Sequence, residues 1–213
     1  MNAEEVVDME SRIIEAAKRV FVRKGYEAAS MSDIAREAEI GRTALHYYFR
    51  TKERLFEAIF GQLMGTLLPN IERIMQMQTS MLEKIPLIIE QYLSIVRANP
   101  SFPLFIVNEL NRDPENVYRT VMKNPERIQP ILGLKQQIER EMEEGILRKM
   151  PVLDIVSSVV SLVVFPMLVK DPLTSIFLQG DAGQFDQFVE NRKELIVEII
   201  IRLVTPVISD VKS

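Results

Sequence analysis

Apolar residues return at three- and four-residue intervals along nearly the whole chain, a periodicity that admits helices and little else. The stripe Ile13, Ile14, Ala17, Val20 and Phe21 is followed by Gly25, a natural helix stop. Ser30-Met31-Ser32-Asp33 reads as a capping-box variant with Ser30 as N-cap, and Ile34, Ala35 and Ala38 give that short helix its buried side. Ile40-Gly41 interrupts, and Arg42 to Phe49 forms a third short helix with Leu45 and Phe49 inward. Thr51-Lys52-Glu53 opens a longer helix carrying Leu55, Ile59, Phe60 and Leu67, which Pro69 is expected to kink. Further helices are expected to end at Asn99, to begin near Pro103, and to run from about Glu126 to Gly145, from Pro151 to Val169 and from about Phe185 to Val204. Strand-like alternation with paired turns is hard to find. The expectation is an all-α chain of nine or ten helices.

Composition narrows the class. With 213 residues the chain is long enough for a buried core, and 47% hydrophobic with 26% charged residues suits a globular protein. There is no Cys, so disulfides and thiolate metal sites are excluded and a reducing cytoplasm is expected. Four acids precede the first base at the amino end, which is wrong for an export signal. The net charge of −4 is unevenly spread: residues 11–60 hold ten Lys and Arg against seven Asp and Glu. A local basic face on an acidic body suits a protein that touches phosphate in one place.

Residues 30–49 have the size of a helix-turn-helix. Ala35 is the small residue where two helices press together, and Ile34, Ile40 and Leu45 lock their crossing. Arg42, Thr43, His46 and Tyr47 occupy the outward face, with Lys52 placed for a backbone phosphate. Arg, Thr and Tyr at those positions hydrogen-bond bases and phosphates, and Arg42 suits a guanine edge.

The run Ile13-Ile14-Glu15-Ala16-Ala17, Phe21, Lys24-Gly25-Tyr26, Ser30 to Ala35, Ile40, Leu45-His46-Tyr47-Tyr48-Phe49, Lys52-Glu53 and Leu55 resembles the amino-terminal signature of the TetR (tetracycline-repressor-like) family. The resemblance covers roughly residues 9–58. It implies that Arg42, Thr43, Tyr47 and Ser32 approach base edges, and that Ser30, His46, Tyr48 and Lys52 hold the phosphodiester backbone. It further implies a DNA-binding domain over residues 1–53 and a helical effector-binding and dimerisation domain over 54–213. Two positions depart from the pattern. The turn position usually filled by Gly is Glu39, where a left-handed residue costs about 1–2 kcal/mol. Position 46, commonly Tyr, is His, which bears on a backbone contact and on its response to pH.

Residues 152–169 are almost wholly apolar, but Asp154, three Ser and Pro166 weaken a membrane reading, and burial between neighbouring helices explains them better. With Leu195, Ile196, Ile199, Ile200, Leu203 and Val204 on the last helix they supply what a symmetric four-helix dimer interface needs, the candidates being Val156, Val160, Val163, Leu195, Ile199, Ile200 and Leu203. Leu67, Leu68, Tyr92, Phe102, Phe105 and Met142 are candidates for an apolar effector cavity, with Asn108 and Glu109 as polar groups that orient a ligand or form ordinary surface. That lining suits a hydrophobic or amphipathic ligand, cationic if Glu109 faces it.

The expected function is a repressor, homodimeric, released from a palindromic double-stranded DNA operator by a small-molecule effector. Activation or corepressor dependence stays open, since small differences between two body conformations set the sign. No enzyme, cofactor or metal site is expected: paired inward Glu with Glu-x-x-His spacing, a nucleophile–base pair and a phosphate-gripping glycine loop are all missing, and the single His cannot build a metal cluster. A membrane-associated bundle is the other rival, set aside for the reasons above.

Overall fold

A computed structural model describes residues 3–100, 102–122 and 128–206. These form eleven helices with no strand among the described residues: α1 (Ala3–Ala28), α2 (Met31–Glu37), α3 (Arg42–Tyr48), α4 (Lys52–Met75), α5 (Met81–Ala98), α6 (Phe102–Arg112), α7 (Pro114–Met122), α8 (Gln129–Glu143), α9 (Val152–Leu168), α10 (Lys170–Phe177) and α11 (Ala182–Val204). Gly25 breaks α1 with φ 75° and ψ 159°, where the sequence placed a stop. Helix α4 continues through Pro69 to Met75. Helix α8 ends at a Schellman turn, with Gly145 at φ 74° and the Ile146 amide donating to the Glu141 carbonyl over 2.9 Å. The expected first residue of α8, Glu126, lies outside the described residues, as does the Asn124-Pro125 step.

Periodicity overlooked two helices, α7, which Pro114 opens at its first position, and α10. Pro172 falls in its first turn, where the missing N–H has no intrahelical acceptor to lose, so proline does not stop the helix there. Helix α11 starts earlier than expected because the Asp181 carboxylate accepts from the Gly183 and Gln184 amides and caps it.

The chain divides into two compact units, residues 1–65 with 101–124 and residues 66–100 with 125–213. This partition differs from a cut after residue 53, and an aromatic cluster gives the reason. Phe105 of α6 lies 5.9 Å from the Phe21 ring and 5.3 Å from Phe56, and Phe56 lies 6.2 Å from Tyr26. Helix α6 therefore shares a core with α1 and the start of α4.

The second unit has its own core of Met81, Ile85, Ile89, Leu93, Val96, Ile138, Met142, Ile155, Val163, Ile196, Ile200 and Val204. Inside it sits a polar staple. Lys84, 1% exposed, donates to the Met75 carbonyl over 3.0 Å and to Gln137 Oε1 over 2.8 Å. Gln137 donates to Glu141 over 2.6 Å, and both carboxylate oxygens of Glu141 accept from the Met81 amide. Ser80 makes no side-chain cap for α5, so Glu141 performs that task from another helix. Burial pulls the Lys84 ammonium below its ordinary pKa, and the nearby Glu141 charge opposes the shift.

Candidate nucleic-acid interface

Helices α2 and α3 pack against each other and α2 packs on α1. Ile34, Ala35, Ala38 and Leu45 are buried at these crossings, as the sequence reading required. Ser30 caps α2: its hydroxyl accepts from the Asp33 amide over 3.1 Å, and the Asp33 carboxylate accepts from the Ser30 amide over 3.1 Å. Asp33 also receives Lys24 and Arg36, each at 2.7 Å. The Lys24 ammonium and Ser30 hold its carboxyl well below the usual carboxylate range. Glu37 receives Arg19 and Arg23 at 2.8 and 3.0 Å, and these guanidinium groups lower it too. Arg12 donates to the Ala38 carbonyl at 3.4 Å, fastening the end of α2 to α1.

The turn adopts the conformation that glycine would favour. Glu39 has φ 58°; its amide donates to the Arg36 carbonyl and that of Ile40 to Ala35, a Schellman closure. Gly41 then serves as the N-cap of α3 in an extended conformation. Arg42 and Thr43 are exposed, Tyr47 is 76% exposed, and His46 is half-buried. The Tyr47 and Tyr48 rings meet edge to face at 5.3 Å. Arg42 Nε donates to His46 Nε2 over 3.4 Å, one helical turn apart.

Lys52 has a partner that spacing alone hides. Its ammonium donates to the carbonyls of Tyr26 and Glu27 at 2.8 and 3.2 Å and lies 4.6 Å from the Tyr26 ring centroid. It holds the last turn of α1, where a phosphate contact was expected of it. The other face of this cluster is Arg112, 4.1 Å from the same ring, bridging Glu109 at 2.6 Å and Glu27 at 2.8 Å. Tyr26 donates to Glu53, and burial together with the Glu53 charge pushes its phenol well above the ordinary range.

The remaining expected residues fall as follows. Phe102 and Phe105 neighbour each other in the first unit with centroids 6.4 Å apart, whereas Leu67, Leu68, Tyr92 and Met142 belong to the second. Asn108 is exposed, and Glu109, 2% exposed, is neutralised by Arg112, which removes the reason for expecting a cationic ligand. Tyr92 packs against the second core, and burial has its phenol pushed up to about 12. Of the interface candidates, Val156, Val160, Leu195 and Ile199 are exposed, whereas Val163 and Ile200 point into their own core and cannot face a partner; Leu203 is intermediate. Leu153 and Phe165 of α9 are also exposed, at 74% and 59%, and an all-apolar helix gives no signal in sequence for its outer side. Among the described residues no group of His, Cys, Asp or Glu is arranged to hold a metal, and no single helix is long and apolar enough to cross a membrane. Helices α9 and α10 pass that test together only as a pair bent by 68°.

A capped helix, a left-handed turn and a second helix with its polar side outward define a helix-turn-helix domain. Residues 13–59 match the family model of bacterial regulatory proteins, tetR family. It is 27% identical over 106 residues to the fatty acid metabolism regulator protein of Bacillus subtilis, which covers 50% of this chain and 54% of that one. The chain thus spans about half the length of this curated relative, and 24% to 35% of three others. A linker-substituted variant of HlyIIR shares the fold with a TM-score of 0.67 at 22% identity, over 94% of this chain and 98% of that one. The transcriptional regulator FadR of Bacillus subtilis, in complex with stearoyl-CoA, shares it with a TM-score of 0.63 at 17% identity over 90% and 97%.

Proposed function

We propose that the chain is a homodimeric, cytoplasmic transcription regulator that represses from a palindromic operator and leaves it when a small apolar or amphipathic molecule binds. The observation that carries this reading is the outward face of α3, where Arg42, Thr43 and Tyr47 are exposed beside a buried Leu45. Such a helix fits the major groove, and its twin must sit about 34–36 Å away to reach the next half-site. The exposed apolar residues Leu153, Val156 and Val160, which share one side of α9, with Leu195 and Ile199 of α11, support pairing of two copies, since a monomer rarely leaves large apolar side chains grouped in water. Likeness to a fatty acid regulator over half the chain, and a shared fold with a stearoyl-CoA complex, support a long-chain acyl compound as effector.

Selection of bound duplexes from a random pool tests the reading. An enriched palindrome, released by stearoyl-CoA or by an apolar extract, is expected. Failure to retain any duplex in dilute salt overturns it. Arg42→Ala is expected to weaken the selected duplex by about 1–3 kcal/mol and to leave self-association unchanged.

A further inference from the structure

The hydrogen bond between Arg42 and His46 joins the best base-reading candidate to the one histidine of the chain. We infer that His46 is a positioning residue for Arg42, and that its neutral form is what makes operator readout selective. This rests on the DNA-binding reading above.

The geometry sets the chemistry. Arg42 Nε is the donor, so His46 Nε2 must be the unprotonated nitrogen and the imidazole proton must sit on Nδ1. Anchored through Nε, the guanidinium keeps both terminal amino groups free as an end-on fork, the form that pairs with the O6 and N7 atoms of guanine. An imidazolium has two donors and no acceptor. Protonation therefore removes the anchor and sets two cations side by side on one helix face.

Most of the other charged groups around α3 are closed elsewhere, while Glu39 stands exposed in the turn before it. On α2, the element packed against it, Asp33 is closed on Lys24 and Arg36, and Glu37 on Arg19 and Arg23. At the start of α4, Lys52 lies on the Tyr26 and Glu27 carbonyls, Glu53 accepts from Tyr26, and Arg54 pairs with Glu57. Arg50 follows α3 and adds a further positive charge. No described carboxylate is paired with His46 to compensate its proton. A protonated His46 instead adds a cation beside the phosphates, so affinity for any duplex rises while discrimination falls.

Fluorescence anisotropy on the full chain tests this, with the pool-selected duplex and an unrelated duplex of equal length as probes. Between about pH 8 and about pH 5.5 the ratio of the two affinities should fall about tenfold. Over the same span the unrelated duplex should bind more tightly, with a salt slope steeper by about one unit. His46→Leu should show the low ratio at every pH. His46→Gln, whose amide oxygen can accept from Nε, should restore the high ratio and remove the pH step. Because no other histidine is present, nitrogen NMR of the free protein reads this imidazole alone and should show the Nδ1–H tautomer. A pH-independent ratio in the wild type, or a Gln variant that still titrates, would overturn the inference while leaving DNA binding in place. Absence of binding to either duplex would overturn both.

Discussion

The Ile40 amide reaches the Ala35 carbonyl over 2.9 Å only because Glu39 between them takes φ 58°. The sharp turn into α3 thus rests on a residue whose Cβ opposes the conformation that the turn demands. Glu39→Gly should relieve this strain by about 1 kcal/mol, raising Tm by roughly 2–4 °C for a chain of this size. Differential scanning calorimetry decides it. An unchanged or lower Tm would mean that the glutamate side chain makes a compensating contact.

Asp33 gathers Lys24, Arg36 and the start of α2 on one carboxylate. Its folded-state pKa lies below its ordinary value of 3.8, so its stabilisation is fully present above that pH and is lost as pH falls through the folded value. Asp33→Asn should be less stable than wild type at neutral pH, and the gap should close under acid. Thermal melts across the acid range test the sign; a gap that widens under acid contradicts it.

Arg112 pairs with the buried Glu109 carboxylate at 2.6 Å. Arg112→Met should lower stability by about 3 kcal/mol by stranding that charge. Glu109→Leu in the same chain should recover much of the loss, since replacing a buried pair by apolar groups is often close to neutral. Urea denaturation of the two single variants and the double variant measures the coupling. Additive losses would show that the pair does not act as a unit.

Val160 and Val163 stand on one helix but differ in fate, at 41% and 3% exposure. Val160→Asp should yield a folded monomer, while Val163→Asp should unfold the second unit by placing a charge in its core. Light scattering with circular dichroism separates the outcomes. A Val160→Asp protein that remains dimeric would mean that the partner uses another face.

What the sequence made legible follows from where the physics is local. The capping box at Ser30, the stop at Gly25 and the strained turn at Glu39 each depend on a few neighbouring residues, and each is found in place. Helix α10 escaped because Pro172 looks like a breaker until its place in the first turn is known. The contacts of Lys52 with Tyr26 and Glu27, and of Arg112 with Tyr26, join residues 25 or more positions apart, so no spacing rule exposes them. The inner and outer sides of α9 were illegible for the opposite reason: with apolar residues all round, only packing distinguishes Val163 from Val160.

Glu141 has a double attachment, its side chain holding the first amide of α5 and its own carbonyl receiving the Ile146 and Leu147 amides that close α8. Two helix ends distant in the chain therefore melt or persist together. A residue inserted into the short 76–80 connection would have to drag that carboxylate out of register, so natural variation in loop length is expected to avoid this corner and to collect elsewhere on the surface.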